Sequence, residues 1–120
     1  MTTPLVVLCS NDLMFGSRIS AVARDLGCLF QQASSWDQVQ QAVPESGPVV
    51  VVVDLTLMQL TEQGITDCRE KRPAAVSIIA FGPHVQAERL AAAQSAGCDH
   101  VLTRGQFDRS WPELLRGAIA

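Results

Sequence analysis

Val49-Val50-Val51-Val52-Val53-Asp54 is the stretch on which the reading of this chain turns. Valine is stiff at χ1 and favours a pleated backbone, so an unbroken valine run between Gly47-Pro48 and a polar residue reads as a strand buried on both faces. A strand of that kind belongs in the middle of a sheet. Ligands of open α/β sheets gather beyond the carboxyl ends of the strands, which puts Asp54 where chemistry is expected.

The segments on either side repeat one pattern. Upstream, Leu5 to Cys9 is a short apolar run followed by Ser10-Asn11-Asp12, which is turn chemistry or a helix cap. Phe15, Ile19, Val22, Ala23 and Leu26 then recur at helical spacing up to Gly27. Cys28-Leu29-Phe30 reads as a second strand, and Ser35-Trp36-Asp37-Gln38 matches a capping box that opens a helix to Val43. Pro44 to Pro48 is a break.

Downstream of Asp54, Leu55 to Thr61 reads as a loop and Glu62 to Lys71 as a polar helix interrupted by Gly64 and stopped before Pro73. Val76 to Phe81 is a fourth apolar run ended by Gly82-Pro83, and Val85 to Ala96 is an alanine-rich helix closed by Gly97, whose smooth, partly exposed face could dock a partner. Val101-Leu102-Thr103 makes a fifth strand, and Ser110-Trp111-Pro112-Glu113 suggests a capping box for a last helix carrying Leu114, Leu115 and Ile119. Five alternations of strand and helix imply one doubly wound parallel sheet with right-handed crossovers and helices on both faces.

Composition narrows the function classes. The 120 residues fit a single domain spanning 1–120, and a net charge of −3 argues against nucleic acid or an anionic membrane as the main partner. With no apolar stretch long enough to span a bilayer and no signal-peptide layout at Met1-Thr2-Thr3-Pro4, the expectation is a soluble cytoplasmic protein. Cys9, Cys28, Cys68 and Cys98 are scattered and read as free, mostly buried thiols; Cys98-x-His100 alone is a poor metal seed. There is no Gly-x-Ser-x-Gly elbow and no glycine-rich phosphate loop after the first strand, so hydrolase, nucleotide and flavin chemistry lack support. His84 and His100 read as ordinary loop and strand-end residues.

Two segments resemble the receiver domains of two-component response regulators. Val50 to Leu55 looks like the strand carrying the phosphoacceptor aspartate, and Ala96-Gly97-Cys98-Asp99 running into Val101-Leu102-Thr103-Arg104 is similar to the segment that ends in the family's lysine. The resemblance covers essentially the whole chain and implies a flavodoxin-like strand order, 2-1-3-4-5, with Asp54 at the phosphoacceptor position. It also exposes departures. The family's metal-binding acidic pair falls on Ser10 and Asn11, with Asp12 following as either a helix cap or a displaced Mg²⁺ ligand beside Asp54. Its lysine falls on Arg104, whose guanidinium could lock Asp54 in a structural ion pair, and the proline after it is Gly105. Its switch hydroxyl falls on Gly82 and its switch aromatic on Val101, and the chain has no tyrosine.

The resemblance with these departures implies a stand-alone pseudo-receiver, not an enzyme: an interaction module with no cofactor. It would meet a histidine kinase, regulator or effector, or a second copy of itself, through the face made by the fourth helix, fifth strand and fifth helix. One alternative is an active receiver phosphorylated at Asp54 with Mg²⁺. Another is a small-molecule sensor that uses the same crevice.

Overall fold

The computed structural model describes residues 3–43, 47–56, 62–71 and 76–119. Five strands, β1 (Leu5–Cys9), β2 (Leu29–Ala33), β3 (Val49–Asp54), β4 (Val76–Gly82) and β5 (His100–Thr103), alternate with five helices, α1 (Leu13–Asp25), α2 (Trp36–Ala42), α3 (Glu62–Lys71), α4 (Ala87–Ala96) and α5 (Arg104–Ile119). All strand pairs are parallel, in the order β2-β1-β3-β4-β5. The valine strand is central: Val51 lies opposite Val7 on one side and Ile78 on the other.

Alternation along β3 divides the core in two. Val49, Val51 and Val53 share a cluster with Val39, Ile65, Cys68 and Ala93, so α2, α3 and α4 cover that face. Val50 and Val52 share the other with Phe15, Ile19, Ala23, Phe107, Trp111 and Leu115 from α1 and α5. Each buried valine contributes roughly 1.5–3 kcal/mol of transfer free energy, and residues on both faces of β3 make that contribution.

Several boundaries differ from the expectations, each for a local reason. Strand β2 begins at Leu29, one residue after the expected Cys28, and continues past Phe30 through the polar Gln31 and Gln32 to the buried Ala33, all pairing with β1, because an edge strand needs only partial burial. The Ser35 hydroxyl caps Gln38 N, but the Gln38 side chain accepts from Ser34 N and not from Ser35, so the capping box closes one residue out of register. Helix α4 begins at Ala87, after Val85. The loop expected from Leu55 to Thr61 is described only to Thr56.

The largest correction concerns α5, which begins at Arg104 and not at the Ser110-x-x-Glu113 box. Thr103 Oγ1 accepts from Gln106 N at 3.2 Å, and Gln106 Oε1 accepts from Thr103 N at 2.9 Å. This reciprocal pair is a full capping box, and it starts the helix directly at the strand end. Ser110 instead donates to the Gln106 carbonyl inside the helix, and Pro112 is tolerated within it while Phe107, Trp111 and Leu115 form the buried stripe.

Two glycines are explained by what packs on them. A Cβ on Gly64 would stand 2.3 Å from the Trp36 indole, so the glycine that interrupts α3 is the seat for α2's tryptophan. Gly97, at φ 121°, ends α4 where Arg69 lies across it. Arg69 donates to the carbonyls of Gly97 and Val76 and pairs with Asp99, whose carboxylate also accepts from Ile78 N at 2.7 Å. The Gly97-Cys98-Asp99 stretch thereby ties α3 to β4 and β5.

Candidate functional site

Asp54 ends β3 with only 5 % of its surface exposed. Its Oδ2 accepts from the Ser10 hydroxyl at 2.9 Å, and its Oδ1 accepts from Thr56 N at 3.0 Å and Thr56 Oγ1 at 2.6 Å. Both oxygens are therefore engaged by neutral donors. Hydrogen bonds to a charged group contribute about 1.5–3 kcal/mol each, enough in sum to offset much of the cost of burying a carboxylate. The negative charge is felt by its neighbour: the Cys9 thiol is pushed up to about 12, first by burial and then by Asp54.

Ser10 is 1 % exposed at the end of β1, where its hydroxyl also accepts from Asp12 N at 3.1 Å. That contact consumes an acceptor lone pair and directs the hydroxyl proton to Asp54. Asn11 is exposed. Asp12 is the N-cap of α1, its Oδ1 accepting from Phe15 N at 2.9 Å, which accounts for the helix start. Its other oxygen lies 3.9 Å from Arg104.

Arg104 does not lock Asp54. Because the capping box places it in the first turn of α5, its guanidinium pairs with Asp108 at 3.2 Å, one helical turn on, and with Asp12. Its Cζ also sits 5.4 Å from the Phe15 ring centroid and 5.3 Å from that of Phe81. No ion pair joins Arg104 to Asp54 among the described residues.

The switch positions are filled differently. A Cβ on Gly82 would approach Leu55 Cβ to 3.2 Å and touch Leu90 at 3.6 Å, so a serine or threonine there would have to push Leu55 aside by a few tenths of an ångström. Val101 packs against the cluster that contains Ala93 and Cys98. Gly105 is the second residue of α5 and, with Thr56, Phe81, Gly82, Pro83, His84 and Arg104, lines a crevice of about 300 Å³ beside the Asp54 pocket. His84 reaches that crevice, whereas His100 lies exposed on β5 and Cys98 is buried.

Mg²⁺ requires oxygen ligands in near-octahedral geometry, with carboxylates supplying the charge. Here Asp54 faces hydrogen-bond donors and Asp12 is committed to the α1 cap, so the residues around Asp54 do not fit that ion. Among the described residues no group of three or more His, Cys, Asp or Glu is placed to hold a metal.

Thr56, which supplies two of the three donors, was not apparent from the sequence as a site residue. The available signal was the Asp-x-Thr spacing, in which a carboxylate accepts from the backbone two residues on. Gln32, whose amide reaches the backbone of Ser10 and Asp12, was also missed because it sits in a polar edge strand.

No protein-family model matches the chain, and no curated protein matches it in sequence. Solved structures do. The receiver domain of the TMAO respiratory system response regulator TorR superposes with a TM-score of 0.76 at 13 % identity, covering 99 % of this chain and 100 % of that one. The beryllofluoride-activated NtrC4 receiver domain dimer gives 0.74 at 16 % identity, covering 98 % and 97 %. The chemotaxis response regulator CheY4 of Vibrio cholerae gives 0.72 at 12 % identity, covering 98 % and 99 %. No helix among the described residues is long and apolar enough to cross a membrane. With its strand order, its paired helical layers and Asp54 at the end of the central strand, the chain has the fold of response-regulator receiver domains.

Proposed function

We propose that this chain is a receiver-like signalling module that works by binding other proteins, with the usual phosphorylation switch lost. One observation carries the reading: both oxygens of Asp54 accept hydrogen bonds, from Ser10 and Thr56, while Arg104, at the position of the family's lysine, is held by Asp12 and Asp108. A phosphoacceptor needs a carboxylate oxygen free to attack and a cation beside it to offset the incoming charge. Gly82 and Val101 add to this, since neither the switch hydroxyl nor the switch aromatic is present at its position to move toward a phosphoryl group on Asp54. A ligand without differential contacts in two states shifts no equilibrium.

The partner in this reading is a histidine kinase, a regulator or an effector, or a second copy of the chain, meeting the face of α4, β5 and α5. Ala87 and Ala91 give α4 a smooth exposed surface there, and a receiver domain of the same fold, NtrC4, is described as a dimer. The alternative of an active receiver retains one supporting fact, the carboxylate of Asp54 at the end of the central strand. It requires Mg²⁺ to displace the Ser10 hydroxyl and Asp12 to leave the α1 cap.

A Mg²⁺ titration followed by backbone amide NMR tests the proposal. Unchanged signals from Ser10 to Asp12 and from Asp54 to Thr56 at millimolar Mg²⁺ are expected. Saturable shifts confined to those residues would favour the active reading.

A further inference from the structure

We propose that Gln32, on the edge strand β2, is the positioning residue that sets the hydrogen-bonded state of the Asp54 carboxylate. The inference rests on the reading of Asp54 as a carboxylate locked by Ser10, and extends it to a residue that touches neither carboxylate oxygen. Gln32 Nε2 donates to the Ser10 carbonyl at 2.8 Å and to the Asp12 carbonyl at 3.1 Å. A carboxamide nitrogen has two hydrogens, and both are spent on the connection between β1 and α1. Ser10 N donates to Ala33 O at 3.0 Å, so β2 holds the Ser10 backbone through its donor and its acceptor together.

With the backbone fixed on both sides, the direction of the Ser10 Cα–Cβ bond is fixed as well, and the hydroxyl arrives at Asp54 Oδ2. The second contact, to Asp12 O, holds the peptide after Asp12, one along from the Asp12 N–H that occupies the Ser10 lone pair. Gln32 therefore orders Ser10 itself and Asp12, the residue that donates to its hydroxyl. Helix α1 makes room for it: a Cβ on Gly16 would stand 2.0 Å from Gln32 Oε1. Glycine within a helix is unfavourable, and here it leaves the volume in which the carboxamide lies. Gln32 is only half-buried and borders a surface hollow of about 300 Å³ with Ser10, Asn11 and Ser34, so the edge strand connects the interior carboxylate to the outside of the domain.

The test reads the Asp54 side-chain carboxyl carbon by NMR in folded protein carrying Gln32→Met or Gln32→Glu. Both remove the donor at near-constant shape, and Gln31→Met on the exposed neighbour is the control. Ser10→Ala reports the lock directly. The expected result is a carboxyl shift in both Gln32 variants, in the same direction as in Ser10→Ala, and none in Gln31→Met. Gly16→Ala, which displaces the carboxamide sterically, should reproduce that shift in the parent and add nothing to Gln32→Ala, a non-additivity that a generally loosened fold would not produce. A carboxyl signal that moves in Ser10→Ala but stays put in both Gln32 variants would overturn the role of Gln32 and leave the lock standing. A signal that moves in none of them would overturn both.

Discussion

The Ser10 hydroxyl donates to Asp54 Oδ2 at 2.9 Å, joining the end of β1 to the end of the central strand. Ser10 and Asp54 are 44 residues apart in sequence and are the two buried polar side chains of the domain's described residues. Each satisfies part of the other's hydrogen-bonding capacity in the interior. Removing a partner from a buried charged group exposes the full cost of its desolvation.

Ser10→Ala is accordingly expected to lower stability by about 1–3 kcal/mol in urea denaturation, since it leaves Asp54 Oδ2 without its donor. Ser10→Asp should do more harm, because it sets two carboxylates against each other in a buried pocket. Millimolar Mg²⁺ should recover part of that loss and raise the melting temperature of Ser10→Asp while leaving the parent unchanged. A parent that gains as much from Mg²⁺ as the variant would mean that the wild-type pocket already takes the ion.

Gly64→Ala offers a contest between two effects. Alanine improves helix propensity by about 1 kcal/mol, but its Cβ would collide with the Trp36 ring, and overpacking of that kind costs roughly 1–3 kcal/mol. The collision should win, with a net loss of stability and a changed near-ultraviolet circular dichroism signal from Trp36. Trp36→Ala in the same background should restore the favourable sign of the alanine.

The thiols give the fold an alkaline limit. Burial raises Cys9 and Cys98 from 9.0 to about 12, with neighbouring Asp54 and Asp99 adding to the respective shifts. Between those values the unfolded chain has lost protons that the folded chain still holds, so stability falls as pH rises above about 9. The slope is about 1.4 kcal/mol per pH unit for each thiol and flattens as the folded pKa is passed. Urea midpoints measured from pH 7 to 11 should be level at first and then decline. Ellman's reagent at pH 8 should modify these two thiols only as the protein unfolds.

How much of this was readable in the sequence follows the kind of interaction involved. The valine run, the Phe15 and Ile19 stripe and the Gly-Pro breaks announced the sheet and its layers because burial leaves a periodic trace. The start of α5 was hidden because Thr103 and Gln106 look like the end of a strand until their reciprocal hydrogen bonds are seen, while Ser110-x-x-Glu113 offered a decoy of the same pattern. At the site, Asp54 and the missing acidic pair could be located by position, but a hydrogen bond between residues 44 apart leaves no periodic signature. Arg104 was expected at Asp54 on its charge; the helix start, the Phe15 and Phe81 rings and Asp108 turn it elsewhere.

If Asp54 is held and not poised for phosphoryl transfer, it takes no phosphoryl group from a small-molecule donor. The measurement is incubation with acetyl phosphate and Mg²⁺, followed by intact-mass spectrometry beside an Asp54→Asn control. No phosphate adduct is expected on either protein. An adduct on the parent that is absent from Asp54→Asn would contradict this reading of Asp54.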